Sequence, residues 1–348
     1  MNRRLSNVVV AALVGLLAQI ALAAAAEMTA QEKQLYEAAK KEGKLTWYVA
    51  QYSTKQSEDH GQRFTKRYPG VSVEVIRTTG QVAYARLMQD LRAGAAQCDV
   101  FTGTDIGHYF ALKQSKQLLK YLPANHAELR KPYQGLDPDG YYFTTSANPT
   151  VIIYNTKLVK PEDAPKNWTD LVDPKWTDKV AVAHPGFSGS MGSWTVLMVK
   201  LYGWEFLEKL KNVNPLIGRS LLDPPTILNA GERAVGISSM TTATRLFLEG
   251  NPIAIVYPTD GVKLTLSASG IPANAPHPNA AKLFANYLLS KENSETLVKW
   301  GGQPLNAAVA PPKGVPSIDE IKVGPLSEEE VVAQVPETIE RWRDIFGN

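Results

Sequence analysis

Two stretches decide the fold, Leu45-Thr-Trp-Tyr-Val-Ala50 and Val71-Ser-Val-Glu-Val-Ile76. Each favours a β-strand, the second because apolar and polar side chains alternate along it. Between them, residues 56–68 favour a helix that stops at Pro69-Gly70. A strand, a helix and a second strand in this order are typical of a parallel sheet covered by helices.

The same alternation continues in both directions from these stretches. Thr79-Gly80 opens a further predicted helix, and Asp99-Val-Phe101 follows as a short buried strand. After a strand at 150–154 the pattern restarts, with predicted strands at 180–183, 235–239 and 253–257 and predicted helices at 189–201, 205–211 and 242–249. The sequence therefore predicts an α/β fold of two similar lobes, each with a parallel sheet and helices on both faces.

Two short segments are expected to carry the chain between the lobes, the loop Ser146-Ala-Asn-Pro149 and the turn Thr259-Asp260-Gly261. This places residues 27–147 and 259–302 in an N-terminal lobe. Residues 148–258 and 303–348 then form a C-terminal lobe. In open α/β folds a ligand sits outside the carboxyl ends of the strands, so the cleft between the lobes is the expected binding site.

Composition places the chain among ordinary globular proteins. Of its 348 residues, 44% are hydrophobic and 20% are charged, which excludes a coiled coil, a collagen-like repeat and a mostly disordered chain. There are 37 basic against 34 acidic residues, and Arg3 and Arg4 account for two of the excess. A nearly neutral chain without a Lys/Arg stripe has no general attraction to nucleic acid, so no nucleic-acid partner is expected.

The N-terminus has the three parts of a secretory signal peptide. Arg3 and Arg4 precede an apolar run over residues 8–26, which ends in small residues before Glu27. We therefore expect residues 1–26 to be removed on export to the periplasm. A retained membrane anchor is the alternative, because the run is about one bilayer long. The single cysteine, Cys98, cannot form an internal disulfide and is expected to be a buried, inert thiol.

The loops that follow the predicted strands are rich in hydroxyl side chains and glycine. They are Tyr52-Ser53-Thr54, Thr102-Gly103-Thr104-Asp105, Ser188-Gly189-Ser190 and Ser238-Ser239-Met240-Thr241-Thr242. Ser-Gly-Ser directly before a helix offers hydroxyl groups, free backbone N–H groups and the positive end of the helix dipole. Such a site suits a carboxylate, phosphate or phosphonate, although plain helix capping explains the same motif without a ligand.

Signatures of enzymes are mostly missing. The sequence has no phosphate-binding loop of the G-x-x-x-x-G-K-[ST] type, and Gly186-Phe-Ser-Gly-Ser190 lacks the last glycine of a nucleophile elbow. The five histidines are scattered without zinc-ligand spacing. We therefore expect no catalytic residue, metal or cofactor, with a periplasmic hydrolase built on Ser188 and His184 as one alternative.

Several stretches, in their order and spacing, give the chain a family resemblance. It resembles the periplasmic solute-binding proteins of bacterial ABC transporters, in the family that includes the ferric-iron-binding proteins. The stretches are Leu45-Thr-Trp-Tyr-Val-Ala50, Asp99-Val-Phe101, Thr150-Val-Ile-Ile-Tyr-Asn155, Trp176-Thr-Asp-Lys-Val180, Gly231-Glu-Arg-Ala-Val-Gly-Ile237, Asn279-Ala-Ala-Lys-Leu-Phe284 and Leu288-Leu-Ser-Lys-Glu292. The resemblance implies a type II periplasmic binding protein fold, with two lobes, a hinge and closure around one small ligand. It also implies a monomer that delivers its solute to an ABC permease in the inner membrane. A sensory role would use the same fold and stays open.

The iron site of that family matches this sequence only in part. Its first-lobe ligand positions correspond to Tyr52 or Ser53 and to Thr104 or Asp105. Met240-Thr241 stands where the family's iron-binding members have a pair of tyrosines. The family's anion-holding Ser-Gly stretch matches Ser188-Gly189-Ser190.

An anion pocket without its metal suggests that a small organic anion is bound directly. We expect Ser188, Gly189 and Ser190 to hold the anion, with Tyr52 and Asp105 on the first lobe and Ser239 and Thr241 completing the wall. A protein that transports ferric iron or another metal is the principal alternative.

Overall fold

The computed structural model describes residues 28–347. The signal peptide predicted for residues 1–26 lies outside this range. None of the helices within residues 28–347 is both long enough and apolar enough to cross a lipid bilayer.

The first half of the chain alternates helices and strands, as predicted. Its elements are α1 (Ala30–Glu42), β1 (Lys44–Val49), α2 (Thr54–Arg67), β2 (Ser72–Arg77), α3 (Gly80–Arg92), β3 (Val100–Gly103) and α4 (Ile106–Gln114). Side-chain caps fix several helix starts. The Ser53 hydroxyl accepts the Gln56 N–H at the start of α2, and the Asp105 carboxylate accepts the Gly107 N–H at the start of α4.

The second half contains further strands and helices. They are β4 (Tyr142–Asn155), β5 (Val180–Ala183), α5 (Gly189–Tyr202), α6 (Glu205–Asn212), β6 (Leu216–Gly218), α7 (Asp223–Asn229), β7 (Val235–Ser239), α8 (Met240–Leu248), β8 (Ile253–Val256), β9 (Lys263–Gly270), α9 (Pro278–Leu288), α10 (Lys291–Lys299) and α11 (Glu328–Phe346). The predicted helices of this half are present within a few residues, whereas β6, α7 and β9 were not predicted.

The strands of the described residues form one sheet, in the order β2-β1-β3-β9-β4-β7-β5-β6, with β8 paired to β4. Pairing is parallel between β1 and its neighbours β2 and β3, and between β5 and its neighbours β6 and β7. It is antiparallel wherever β4 or β9 takes part. The prediction of parallel sheets is therefore confirmed for the pairings of β1 with β2 and β3 and of β5 with β6 and β7, and wrong for β4, β8 and β9.

The expected loop at 146–149 is part of a strand. The first part of β4 pairs with β9 over Tyr142–Thr150, and its second part pairs with β7 from Thr150 and with β8 from Ile152. Pro149 fits this strand because pairing with β7 begins only after it, which leaves one side of the backbone unpaired. One extended strand thus carries the chain from the first half to the second, and β9 runs beside it in the opposite direction.

Each half has its own aromatic core. Trp47 of β1 packs edge to face on Phe284 of α9, so this helix from late in the sequence belongs to the first half of the folded molecule, and Trp168 packs edge to face on Trp194 in the second. Cys98 is 1% exposed and burial raises its pKa, as expected for an inert thiol.

The C-terminal helix contacts both halves. Val331 and Val335 on α11 share a cluster with Tyr109 of α4 and Val196 of α5, while Trp342 lies in the core of the second half. The lobe boundaries given above stay a prediction.

Candidate functional site

A cavity of about 40 Å³ lies where the two halves of the sheet meet. Its lining comes from residues at or after the carboxyl ends of β1, β2, β3, β6 and β7, from β4 and from the start of α5, which is where the sequence places a ligand. The lining residues are Ala50, Gln51, Arg77, Thr104, Asn148, Ser188, Ser190, Ser220, Leu221, Leu222 and Ser239. This volume holds roughly three water molecules, so the two halves are nearly closed on each other.

The start of α5 forms one wall. Ser188 caps the helix, because its hydroxyl accepts the Met191 N–H at 3.4 Å. Ser188 and Ser190 line the cavity, and Gly189 between them lies against Asp105 of the first half. A methyl group at position 189 would come within 2.5 Å of the Asp105 backbone nitrogen, so only glycine allows this approach.

Arg77 provides the charge of the site. Its Nε donates a hydrogen bond to the Tyr52 carbonyl oxygen at 2.9 Å, and among residues 28–347 the guanidinium has no other hydrogen-bond or ion-pair partner. Burial lowers the pKa of Arg77, and the more distant Asp223 opposes that shift. An arginine remains charged in any case, so a partly buried cation lines the cavity, and no described residue forms a salt bridge with it.

The rest of the lining is neutral. Asn148 accepts the Thr241 N–H with its side-chain oxygen at 3.2 Å. Gln51 approaches the Tyr52 hydroxyl closely enough to lower its pKa against the larger effect of burial, but neither amide atom of Gln51 reaches hydrogen-bond geometry with any described residue. Both hydrogen-bonding atoms of this amide are therefore unsatisfied inside the protein.

Four of the ten predicted site residues line the cavity, and they come from both halves. They are Thr104, Ser188, Ser190 and Ser239. Gly189 lies between two of them. Thr241 reaches the site through its N–H, which donates to Asn148.

Tyr52, Ser53, Asp105 and Met240 are placed differently from the prediction. The Tyr52 ring is 3% exposed, stacks on His60 and packs against Trp47, so it belongs to the core. The Ser53 hydroxyl caps α2. Met240 is buried in a hydrophobic cluster of the second half.

Asp105 touches the second half through its backbone, while its carboxylate serves the first half. That carboxylate accepts hydrogen bonds from Gly107 N and Gln81 Nε2 and lies 3.5 Å from His108 Nε2. It therefore positions the loop after β3 instead of facing the cavity.

The donor set does not suit a hard metal cation. Within residues 28–347, no group of three or more His, Cys, Asp and Glu side chains could hold a metal ion. The cavity lining in this range has no carboxylate or phenol, and burial raises the pKa of Tyr52 to about 12, which keeps it protonated. Iron bound by tyrosinate at this position is thus disfavoured by the chemistry of the residues present.

Sequence reasoning missed Arg77, Gln51 and Asn148. Arg77 is the last residue of β2, so it too lies at the carboxyl end of a strand, where ligands bind in open α/β folds. Gln51 directly follows the strand predicted at 45–50, so its position at a strand end also marks it as a candidate ligand-binding residue. Asn148 required the knowledge that 146–149 is a strand paired with β9.

Sequence comparison places the chain in a known family. The family model described as bacterial extracellular solute-binding protein matches residues 28–295. A Salmonella typhimurium protein named "Putative 2-aminoethylphosphonate-binding periplasmic protein" is 25% identical over 329 residues, covering 87% of this chain and 89% of that protein. The chain also matches 42% of the length of an uncharacterized protein of Haemophilus influenzae, at 29% identity over 144 residues.

Structural comparison gives the same fold. The periplasmic binding protein AfuA from Actinobacillus pleuropneumoniae, with fructose-6-phosphate bound, superposes with a TM-score of 0.80 at 22% identity, covering 88% of this chain and 99% of that chain. Iron-bound HitA from Pseudomonas aeruginosa superposes with a TM-score of 0.73 at 18% identity, covering 87% and 99%. At these identities the likeness establishes the fold, which is that of type II periplasmic binding proteins.

The match to the family model spans more than three quarters of the chain, the fold agrees, and the family consists of proteins that bind solutes and do not catalyse reactions. This protein therefore belongs to the bacterial extracellular solute-binding proteins, the periplasmic components that capture small solutes for ABC-type importers.

Proposed function

We propose that the solute is a small organic anion, a carboxylate or a phosphoryl or phosphonate compound, bound between Arg77 and the start of α5 without a bridging metal. The observation that carries this proposal is the Arg77 guanidinium, a cation that forms no salt bridge with any described residue and shares the cavity lining with several hydroxyl groups.

The electrostatics of the cavity favour an anion from both sides. A partly buried charge without a partner is unfavourable, and an anionic ligand supplies the missing partner. On the opposite wall, Ser188 and Ser190 offer hydroxyl groups at the N-terminus of a 14-residue helix, where the dipole adds positive potential. Thr104 and Ser239 contribute further hydroxyl groups to the lining.

The names of similar proteins agree with this charge. The Salmonella relative is named for a phosphonate, and AfuA was solved with a sugar phosphate. HitA was solved with iron bound, but ferric iron would need anionic oxygen donors, whereas the cavity of this chain presents an arginine and neutral side chains. We therefore propose that this protein, like the relatives named for or solved with organic anions, binds an organic anion, and that it does not bind iron.

In this proposal the ligand contacts both halves at once, so binding favours the closed arrangement. The closed protein then docks on an ABC permease. That it acts as a monomer stays a prediction.

A thermal-shift screen of the purified protein tests the proposal. The panel contains carboxylates, phosphate monoesters, phosphonates, neutral sugars and Fe(III). A ligand bound only by the folded state raises the melting temperature by mass action. We expect at least one organic anion to raise it and neutral sugars to leave it unchanged. Stabilisation by Fe(III) alone, with a tyrosinate-to-iron absorption band, would contradict the proposal.

A further inference from the structure

The part of the binding site beside Arg77 is built from neutral hydrogen-bonding groups. Gln51 lines the cavity, and neither its amide nitrogen nor its amide oxygen has a hydrogen-bond partner within residues 28–347. An amide can donate to one group and accept from another. A ligand group that satisfies both atoms of the Gln51 amide must therefore be able to accept one hydrogen bond and donate another.

The central strands carry further hydroxyl groups on the face of the sheet that holds Asn148. In the β4–β9 register, Asn148 is opposite Thr265, and Ser146 is opposite Ser267. Side chains of directly opposed residues share a face of the sheet, so Thr265 and Ser267 lie on the face that Asn148 presents to the cavity. They are 3% and 0% exposed, and neither hydroxyl has a hydrogen-bond partner among the described residues.

Unsatisfied hydroxyl groups at this depth need an explanation. Leaving a buried donor or acceptor without a partner costs on the order of 1–3 kcal/mol, and Thr265 and Ser267 lie two positions apart on one face of β9. Water molecules or a ligand that enters as the halves separate can satisfy them.

Two carboxylates adjoin the lining in sequence, Asp105 beside Thr104 and Asp223 beside Leu222, and both already accept hydrogen bonds. Asp105 serves Gly107 and Gln81, and Asp223 accepts the N–H groups of Arg219 and Ser220. In the described part of the chain, the lining itself has neither a carboxylate nor an aromatic ring. An ammonium group on the ligand would thus lose its hydration without a carboxylate or an aromatic ring in that lining to contact directly.

We propose that the site selects anions whose remaining polar groups are neutral hydroxyls and discriminates against those that carry an ammonium group. This inference rests on the proposed anion site and specifies the class of ligand that the site takes. It separates this chain from its Salmonella relative, whose name refers to an aminoalkyl phosphonate.

Matched pairs of ligands test the proposal by calorimetric titration. 2-Hydroxyethylphosphonate and 2-aminoethylphosphonate share an anion and differ only in the terminal group. 3-Hydroxypropanoate and 3-aminopropanoate form the same pair on a carboxylate. We expect the hydroxyl member to bind at least 10-fold more tightly in whichever series binds. Propylphosphonate or butanoate, the apolar isosteres, should also bind more weakly than the hydroxyl member.

Substitutions in the protein show which residues cause the preference for a hydroxyl-bearing ligand. Thr265→Val should reduce the advantage of the hydroxyl ligand over its apolar isostere. Thr338→Val, at a buried threonine of α11 whose hydroxyl donates to the Gln334 carbonyl oxygen, is the matched control and should leave it unchanged. Gln51→Glu places a carboxylate in the lining and should shift the preference toward the ammonium ligand.

The outcomes separate the two proposals. If an anion binds but the ammonium member is equal or tighter, the selectivity inference is overturned while the anion site stands. If no member of either series binds and another class of solute does, the anion site is wrong and the inference falls with it.

Discussion

Gly189 is a point of close backbone approach between the two halves of the molecule at the candidate site. Its Cα faces the backbone of Asp105, and a Cβ there would lie 2.5 Å from Asp105 N and 2.7 Å from Asp105 Cα. Real Cβ atoms do not come this close to backbone, and neither backbone can yield without moving a helix start. Closure over the cavity therefore depends on the absence of a side chain at this one position.

Gly189→Ala should accordingly weaken ligand binding at least 10-fold, because the added methyl group holds the halves apart. The fold should persist, since alanine is a better helix former than glycine. Gly80→Ala is a matched control, because Gly80 also begins a helix and a Cβ there meets nothing within 4 Å. Calorimetric titration of both variants checks this, and equal affinities would contradict it.

His60 gives the molecule a predicted sensitivity to acid. It is fully buried, its Nδ1 is 2.6 Å from Asn293 Oδ1, and burial lowers its pKa to about 4. In the unfolded chain a histidine pKa is about 6.5. Between these two pH values the unfolded state binds a proton on His60 that the folded state does not. The contribution of neutral, buried His60 to the free energy of unfolding is therefore fully present above pH 6.5 and is lost as the pH falls toward 4.

Between pH 6.5 and 4, protonation of His60 alone should lower the free energy of unfolding by ~3 kcal/mol. Carboxylates also titrate in this range, so the measurement compares urea unfolding of the wild type and His60→Gln between pH 7 and 4.5. The variant should show a shallower decline. His126→Gln, at a less buried histidine, should flatten the decline less. Parallel curves for wild type and His60→Gln would show that His60 does not carry the effect.

The sequence predicts which residues line the cavity only where the position of the backbone alone determines the position of the side chain. Thr104, Ser188, Ser190 and Ser239 follow strands and line the cavity, as the position of strand ends predicts. Tyr52 follows a strand equally directly, but its ring is in the core. A strand end fixes where the backbone lies, whereas an aromatic ring gains more by stacking on His60 and packing against Trp47.

At the scale of elements, the helices were more predictable than the central strands. Caps mark helix starts locally, as Ser327 does for α11, where its hydroxyl accepts the Glu330 N–H and the Glu330 carboxylate accepts the Ser327 N–H. Strand β9 has alternating Leu and Thr or Ser residues, yet its role depends on pairing with β4, more than 100 residues away in sequence. Long-range pairing of this kind leaves little local signal.

Helix α11 is tied to β9 by an ion pair that should matter for stability. Lys263 on β9 is 3% exposed, and its Nζ contacts Glu328 Oε1 at 3.1 Å. Glu328→Gln leaves this buried ammonium without its counter-charge and should lower the free energy of unfolding by about 1–3 kcal/mol.

Glu330→Gln is the control on the same helix. The Lys200–Glu330 pair is about one third exposed on both sides, and exposed pairs contribute at most about 1 kcal/mol. Glutamine can also still accept the capping hydrogen bond. Urea unfolding of both variants checks the difference, and a loss for Glu330→Gln as large as that for Glu328→Gln would refute this role for Lys263.

At the scale of the whole molecule, the site exists because one sheet runs through both halves. β4 and β9 carry the chain between the halves side by side, and the cavity lies where the carboxyl ends of the flanking parallel strands face each other across them. The two-lobe α/β architecture was predictable from the alternation of strands and helices. The shared antiparallel centre was not, because no local pattern distinguishes a crossing loop from a crossing strand at 146–149.

The central claim is that Arg77 holds a ligand anion directly at this junction. Calorimetric titration of Arg77→Gln against the wild type, with the organic anion that stabilises the wild type most, tests it. The account predicts one ligand per chain for the wild type and an affinity loss of about 100-fold for the variant, since the charge-assisted hydrogen bond between the guanidinium and the anion is lost. Arg86→Gln, which removes a cation lying over the Tyr48 ring, should retain wild-type affinity. Undiminished binding by Arg77→Gln, or binding that requires Fe(III), would contradict the account.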